Sequence, residues 1–287
     1  MNRHLRLGIF LFGLAGSFNA NSQGVGQLEA IPDSVNRPAT TTVKPLVIKP
    51  KKPKPITKEF SGGVRLNTDG WSIFVDKGWV KSEDSRNADK FYNVRTAQIE
   101  LSEHKHVKEI KSTNPNPVIN NDKPKPYIYG KINNFYTLKL GYGNRKMIAG
   151  KPEQGTVAIH WVYMGGLSLG MLKPYYLDAY VMPDNPRRLT KESIKYSEET
   201  KQSFLGQQYI VGSSGWSKGL NEIKYVPGIQ AKTGLHFDFA ASRKTKLAIE
   251  VGVSAELYTQ KIEILANQDA YPYLFNGYVS LQFGKRY

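Results

Sequence analysis

The chain has 287 residues, no cysteine and a formal net charge of +16, from 40 Lys+Arg against 24 Asp+Glu. Without cysteine there is no disulfide framework and no thiolate chemistry. Apolar content is 40%, and no apolar run reaches the ~20 residues of a spanning helix, which argues against a helical membrane protein.

A surface this basic attracts anions: nucleic acid, anionic lipid headgroups or acidic glycans. The first residues turn that choice away from nucleic acid. Met1-Asn2-Arg3-His4-Leu5-Arg6 is a basic start, Leu7 to Gly16 is a short apolar stretch, and small residues follow at Ser17, Ala20 and Ser22. This is the pattern of a secretory signal peptide over residues 1–20, cleaved after Ala20. No cysteine follows that would accept a lipid anchor. Residues 21–58 carry no periodicity, and Val43 to Pro55 alternates lysine with proline. Proline removes backbone donors and favours extended geometry, and the lysines repel one another. The segment is expected to be an extended periplasmic tether, a spacer or a binding arm. Its candidate partner-binding cations are Lys44, Lys49, Lys51, Lys52, Lys54 and Lys58.

The barrel region is expected over 59–287. Val64 and Leu66 alternate with Arg65 and Asn67, and Trp71, Ile73 and Val75 alternate with Ser72 and Asp76. Period-two alternation is the mark of a strand with two unlike faces. Asp69-Gly70 between the two runs is a hairpin signal, with both residues expected at positive φ. One long strand bulged at Gly70 is the alternative. Ala97, Ile99 and Leu101 mark a third strand, and His104 to Pro126 is polar, proline-rich and expected to be a loop with exposed histidines. A fourth strand carries Tyr136, Leu138, Leu140 and Tyr142 on one face, and a fifth runs from Val157 to Met171.

Pro174 to Lys224 is the largest insertion, with one short helix expected within Thr190 to Leu205, starting at Thr190 or Lys191. The sixth strand carries Ile229, Ala231, Thr233, Leu235, Phe237 and Phe239. After it, odd positions from Leu247 to Leu257 and again from Tyr273 to Tyr287 are apolar or aromatic, giving a closing hairpin. The last strand resembles the C-terminal signal of bacterial outer-membrane β-barrels, carried here by Val279, Leu281, Phe283 and Tyr287.

The fold expected is all-β: a transmembrane antiparallel up-and-down barrel of about eight strands with long extracellular loops. Eight is even, as bacterial outer-membrane barrels require. Counted from a periplasmic start, both very long connections, 105–126 and 174–224, fall outside, and the turns at 81–91, 149–155 and 241–246 fall in the periplasm. At eight strands side chains fill the lumen. A signal peptide without a lipid-anchor cysteine, a polar tether and a Tyr- and Lys-rich barrel together look like the small outer-membrane barrels of Bacteroidota-type bacteria. The Gly62-to-Trp71 stretch is similar to openings in that group. Some members of it are accessories of secretion or assembly machines, so the resemblance implies such a role.

The residues show little chemistry. His160, His236, Asp238 and Glu250 fall on inward faces of strands five to seven and are expected to share one layer of the lumen, with Lys232, Glu256 and Arg286 on the same inward side. Such a set is an ionic network or, alternatively, a metal or proton-linked site. No serine stands beside a histidine on an outward face, as a nucleophile would need. The expectation is therefore a non-enzymatic outer-membrane barrel without cofactor or metal, a structural or accessory subunit of an envelope assembly or secretion complex. Its partners would be outer-membrane lipid, lipopolysaccharide and other envelope proteins, and no nucleic acid. The alternatives are a lipid A or phospholipid modifying enzyme and a soluble secreted ligand-binding barrel.

Overall fold

The computed structural model describes residues 56–80, 93–115, 123–149, 156–181, 189–239 and 244–287. The expected signal peptide, the tether up to residue 55 with its first five candidate lysines, and most of the three expected periplasmic turns lie outside these residues.

Thirteen strands occur among the described residues. They are β1 (Lys58–Asn67), β2 (Gly70–Val80), β3 (Asn93–His104), β4 (Lys111–Ser112), β5 (Tyr127–Ile128), β6 (Asn133–Ala149) and β7 (Val157–Pro174). There follow β8 (Leu177–Val181), β9 (Thr190–Ile194), β10 (Ile210–Ser213), β11 (Lys224–Phe239), β12 (Thr245–Ile262) and β13 (Tyr271–Arg286). Eight of them, β1, β2, β3, β6, β7, β11, β12 and β13, close into a barrel in which every neighbouring pair is antiparallel. The barrel shuts where β1 meets β13, with Glu59 opposite Arg286 and Val64 opposite Leu281.

The alternation in the sequence becomes the two sides of this wall. Along β12, Glu250 is 7% exposed and Val251 is 45% exposed. Outward residues line up across strands: Ile73 faces Leu101, Leu101 faces Leu138, Leu138 faces Leu169, and Val251 faces both Leu235 and Val279. The result is an exposed apolar belt around a charged interior. That polarity is the reverse of a soluble barrel and is what a bilayer demands. It sets aside a lipocalin-like reading with an apolar interior.

The β1–β2 turn departs from expectation by one residue. Its two residues are Thr68 and Asp69, joining Asn67 to Gly70, and no described non-glycine residue has a positive φ. Gly70 opens β2 instead of centring the turn. Glycine is needed there for space, since a Cβ would lie 1.9 Å from the Glu103 carbonyl oxygen on β3.

The two long connections fold into a cap at one end of the barrel. β8, β9 and β10 form a small sheet in the order β10-β8-β9, and β4 pairs with β5. The cap has its own core of Tyr127, Leu177, Ala179, Ile194, Phe204 and Ile210. Asn114 donates from Nδ2 to the carbonyls of Gln207 and Ile210, at 2.8 and 2.9 Å, which ties the first long loop to the second. The one short helix expected within Thr190 to Leu205 is present, but it does not start at Thr190 or Lys191 as expected. Thr190–Ile194 is strand β9 and only Lys201–Leu205 is α-helical. Ile194 sits opposite Leu177, so a partner distant in sequence draws the polar stretch into the sheet.

Candidate functional site

The barrel interior is built from the inward residues of all eight strands. Among the described residues that face the lumen, six buried carboxylates (Glu59, Asp76, Glu100, Asp238, Glu250, Glu256) meet six buried cations (Arg65, Lys139, Arg145, Lys232, Lys246, Arg286). Buried charges persist only when paired, and this balance supplies the pairs. The +16 excess of the chain is therefore carried outside the lumen.

The network is stacked in layers. At the end where the chain enters and leaves, Glu59 takes Arg145 at 2.5 Å and Lys246 at 3.0 Å, and Arg286 binds Asp238. In the middle, Arg65 pairs with Glu100 and lies between the rings of Phe74 and Tyr278, at 4.7 and 4.5 Å from their centroids. Lys232 donates to Gln98 Oε1 at 2.6 Å, and Gln98 and Gln282 both donate to Asp76. Glu250 accepts from Tyr278 at 2.9 Å and stands 3.7 Å from Lys232 and 3.8 Å from Arg65. His236 presents Nδ1 to Glu250 at 3.1 Å and Nε2 to Arg145 at 3.4 Å. An arginine only donates, so Nε2 is the acceptor and Nδ1 carries the proton.

Toward the cap, Lys139 binds Glu256, and Tyr258 donates to Glu256 at 2.5 Å. His104 lies here, 1% exposed, with Nδ1 2.8 Å from Asp69 and Nε2 3.2 Å from Thr137. Above this layer Phe135, Leu172, Val226, Tyr258, Ile262 and Ile264 pack into an apolar plug. With ion pairs below and the plug above, side chains of the described residues fill the lumen, as expected at eight strands.

The seven residues singled out from sequence all point inward and are buried. Of the four expected to share one layer, His160, His236 and Glu250 stand side by side and Asp238 does not. His160 stands edge-on to His236 with centroids 6.0 Å apart, and both belong with Glu250 and Lys232. Asp238 and Arg286 pair one layer below, and Glu256 lies one layer above. His104 corrects the expectation of an exposed loop histidine, because it is the last inward residue of β3. Lys58 is the first residue of β1, and its backbone donates to the Tyr287 carbonyl at 2.9 Å. Val279, Leu281, Phe283 and Tyr287 all point outward and are exposed. Glu59, Arg65, Glu100, Lys139, Arg145 and Lys246 complete the network, and the same alternation aims each of them inward. Among the described residues, no group of three or more His, Asp or Glu side chains has the arrangement of a metal site.

The cap carries one carboxylate with a clear electrostatic setting. Partial burial pushes Asp178 up, but hydrogen bonds from Ser193 at 2.5 Å and from Ser214, with Lys218 nearby, outweigh it. The net effect holds its carboxyl below the usual carboxylate range.

The apolar belt, the filled charged lumen and the one-sided cap define a small transmembrane β-barrel. No protein-family model and no curated protein matches the chain. Solved structures of similar fold include neisserial surface protein A, at 8% identity and TM-score 0.36 over 82% of this chain and 98% of that one. Ail, the attachment invasion locus protein of Yersinia pestis, aligns at 7% identity and TM-score 0.35 over 82% of this chain and all of its own. The N-terminal β-barrel domain of Pseudomonas aeruginosa OprF aligns at 8% identity and TM-score 0.32 over 82% and 100%. The class assignment rests on the geometry of this barrel and not on those likenesses.

Proposed function

We propose that this protein is an integral outer-membrane barrel that works without catalysis and serves as a structural or accessory subunit of an envelope assembly or secretion complex. The observation that carries the reading is the lumen. Paired charges and the Phe135–Tyr258 plug fill it, so nothing passes through and function falls to the outer surfaces. The most elaborate of these is the cap, which has a hydrophobic core of its own. A barrel that only anchored a tether would need no such platform. Outer-membrane lipid, lipopolysaccharide and envelope proteins are the partners this reading expects. The likeness to Bacteroidota-type barrels rests on the signal-peptide pattern without a lipid-anchor cysteine, the polar tether, the Tyr- and Lys-rich barrel and the Gly62-to-Trp71 opening. The test is crosslinking in native membranes followed by affinity capture of the full chain. The expected result is one recurrent envelope protein, crosslinked through cap residues such as Lys201 and lost when the 190–222 segment is replaced by a short linker. Lipid A or phospholipid changed in structure by the purified barrel would overturn the non-enzymatic part.

A further inference from the structure

On the outer wall, at the capped end, an apolar trough of 530 Å³ lies between barrel and cap. Its floor crosses four strands through directly opposed residues: Trp71 faces Glu103, Glu103 faces Tyr136, and Tyr136 faces Met171. Leu101, one outward position below Glu103, joins the floor to the apolar belt. The cap supplies the facing wall with Trp216, Leu220 and Ile223. Trp216 is 67% exposed, hangs over the trough and donates from Nε1 to the Tyr136 hydroxyl at 3.2 Å. The acid in the lining, Glu103, is engaged by Trp71 Nε1 at 2.7 Å.

Lys173 lies at the upper end of this trough. It is 3% exposed, its Nζ is 5.3 Å from the centre of the Trp216 ring, and no described carboxylate forms an ion pair with it. Lys173 and Trp216 also line a second recess of 340 Å³, half polar and half apolar, with Lys111, Lys218, Ser213 and Ser214 among its lining. No carboxylate lines that recess. One amphipathic cleft thus runs from the lipid belt upward, apolar below and cationic above.

We propose that this cleft binds one phosphorylated, multiply acylated lipid of the outer leaflet. An acyl chain occupies the trough, and a headgroup phosphate meets Lys173, Lys111 and Lys218 from the recess side. Charge complementarity selects the occupant: Lys173, whose charge meets the Trp216 ring and no carboxylate, stands beside two more lysines and favours an anion, and a floor continuous with the lipid belt favours a chain that is already in the membrane.

The inference rests on the membrane reading above, and the test separates the two. The full chain is purified in neutral detergent, and each variant is first checked for a heat-dependent shift in SDS gels. Loss of that shift in the unaltered chain sinks the membrane reading itself. Native mass spectrometry then counts lipid retained from hexa-acylated lipid A, from the same lipid stripped of phosphates, and in the presence of inorganic phosphate. The expected result is one lipid A held per barrel. Binding should weaken about tenfold for Lys173→Gln, the size of one charged hydrogen bond, and by more than that for the stripped lipid, which loses its contacts to all three lysines. Leu220→Asp, on the cap and outside the barrel wall, should abolish retention while the heat shift persists. Undiminished retention by Lys173→Gln, or equal retention of the stripped lipid, would overturn the proposal. So would several lipids held regardless of Leu220→Asp, which marks a non-specific annulus, or displacement by equimolar inorganic phosphate, which marks a bare anion site.

Discussion

Glu250 and His236 face each other across the β11–β12 pair inside the lumen, with imidazole Nδ1 3.1 Å from carboxylate Oε2. The same carboxylate holds the Tyr278 hydroxyl and is the counter-charge for Lys232 and Arg65. Glu250→Gln keeps the shape but offers one acceptor where two donors compete, and it leaves two buried cations under-compensated. We predict a loss of about 3 kcal/mol, the scale for breaking a buried pair from one side. Urea unfolding of the variant refolded into lipid vesicles measures it. A loss under about 1 kcal/mol, as for exposed pairs, would mean that water reaches this layer.

Two adjacent glycines on β7 should behave oppositely. A Cβ on Gly166 would lie 1.9 Å from the Leu140 carbonyl oxygen, whereas on Gly165 the nearest atom is 3.7 Å away. Gly166→Ala must push β6 and β7 apart, at about 1–3 kcal/mol, the usual cost of overpacking. Gly165→Ala should be neutral or slightly stabilising, since alanine narrows the unfolded ensemble. The same vesicle unfolding assay decides it, and equal costs at the two positions would contradict the β6–β7 register.

We predict that Asp178 makes the cap acid-sensitive. Its carboxyl is held low in the folded cap, so its stabilisation is fully present above the ordinary carboxylate range and fades as pH falls through the folded value. Below about pH 4 the cap should therefore open before the barrel, whose strands are fixed by the closed sheet. Limited proteolysis by pepsin across pH 2–5 should show new cuts within 189–222 at the low end. Asp178→Asn should show them already at pH 5. Cuts that do not depend on pH in the unaltered chain would remove Asp178 from the account.

Much of this architecture is legible in the sequence because strands with one lipid face and one polar face announce themselves by period two. All eight barrel strands follow from that alternation, and so does the inward aim of His160, His236 and Glu250. Height within the lumen is another matter. Glu250 and Glu256 share a face of β12, yet six residues of strand separate them by roughly 20 Å. Glu256 therefore finds Lys139 on β6, a strand whose stagger no local pattern reveals, while Tyr258 comes from its own strand two residues on. The partners Arg65 and Glu100 were readable by parity alone, since each stands between two outward residues. The cap was opaque for a different reason: β9 is polar, and only pairing with Leu177–Val181 makes it a strand. His104 was hidden by its neighbours, because the polar stretch that follows masked the last inward position of β3.

In a membrane barrel the odd face of β12 meets lipid, and Val251 tests this most directly. It is 45% exposed and lies between Leu235 and Val279 in the outward belt. Val251→Arg should cost about 2–4 kcal/mol in vesicle unfolding, the depth-dependent penalty for a cation on the lipid face. Val251→Leu should cost almost nothing. If Val251→Arg is tolerated while Val251→Leu is not, the apolar belt does not face lipid and the membrane assignment is wrong.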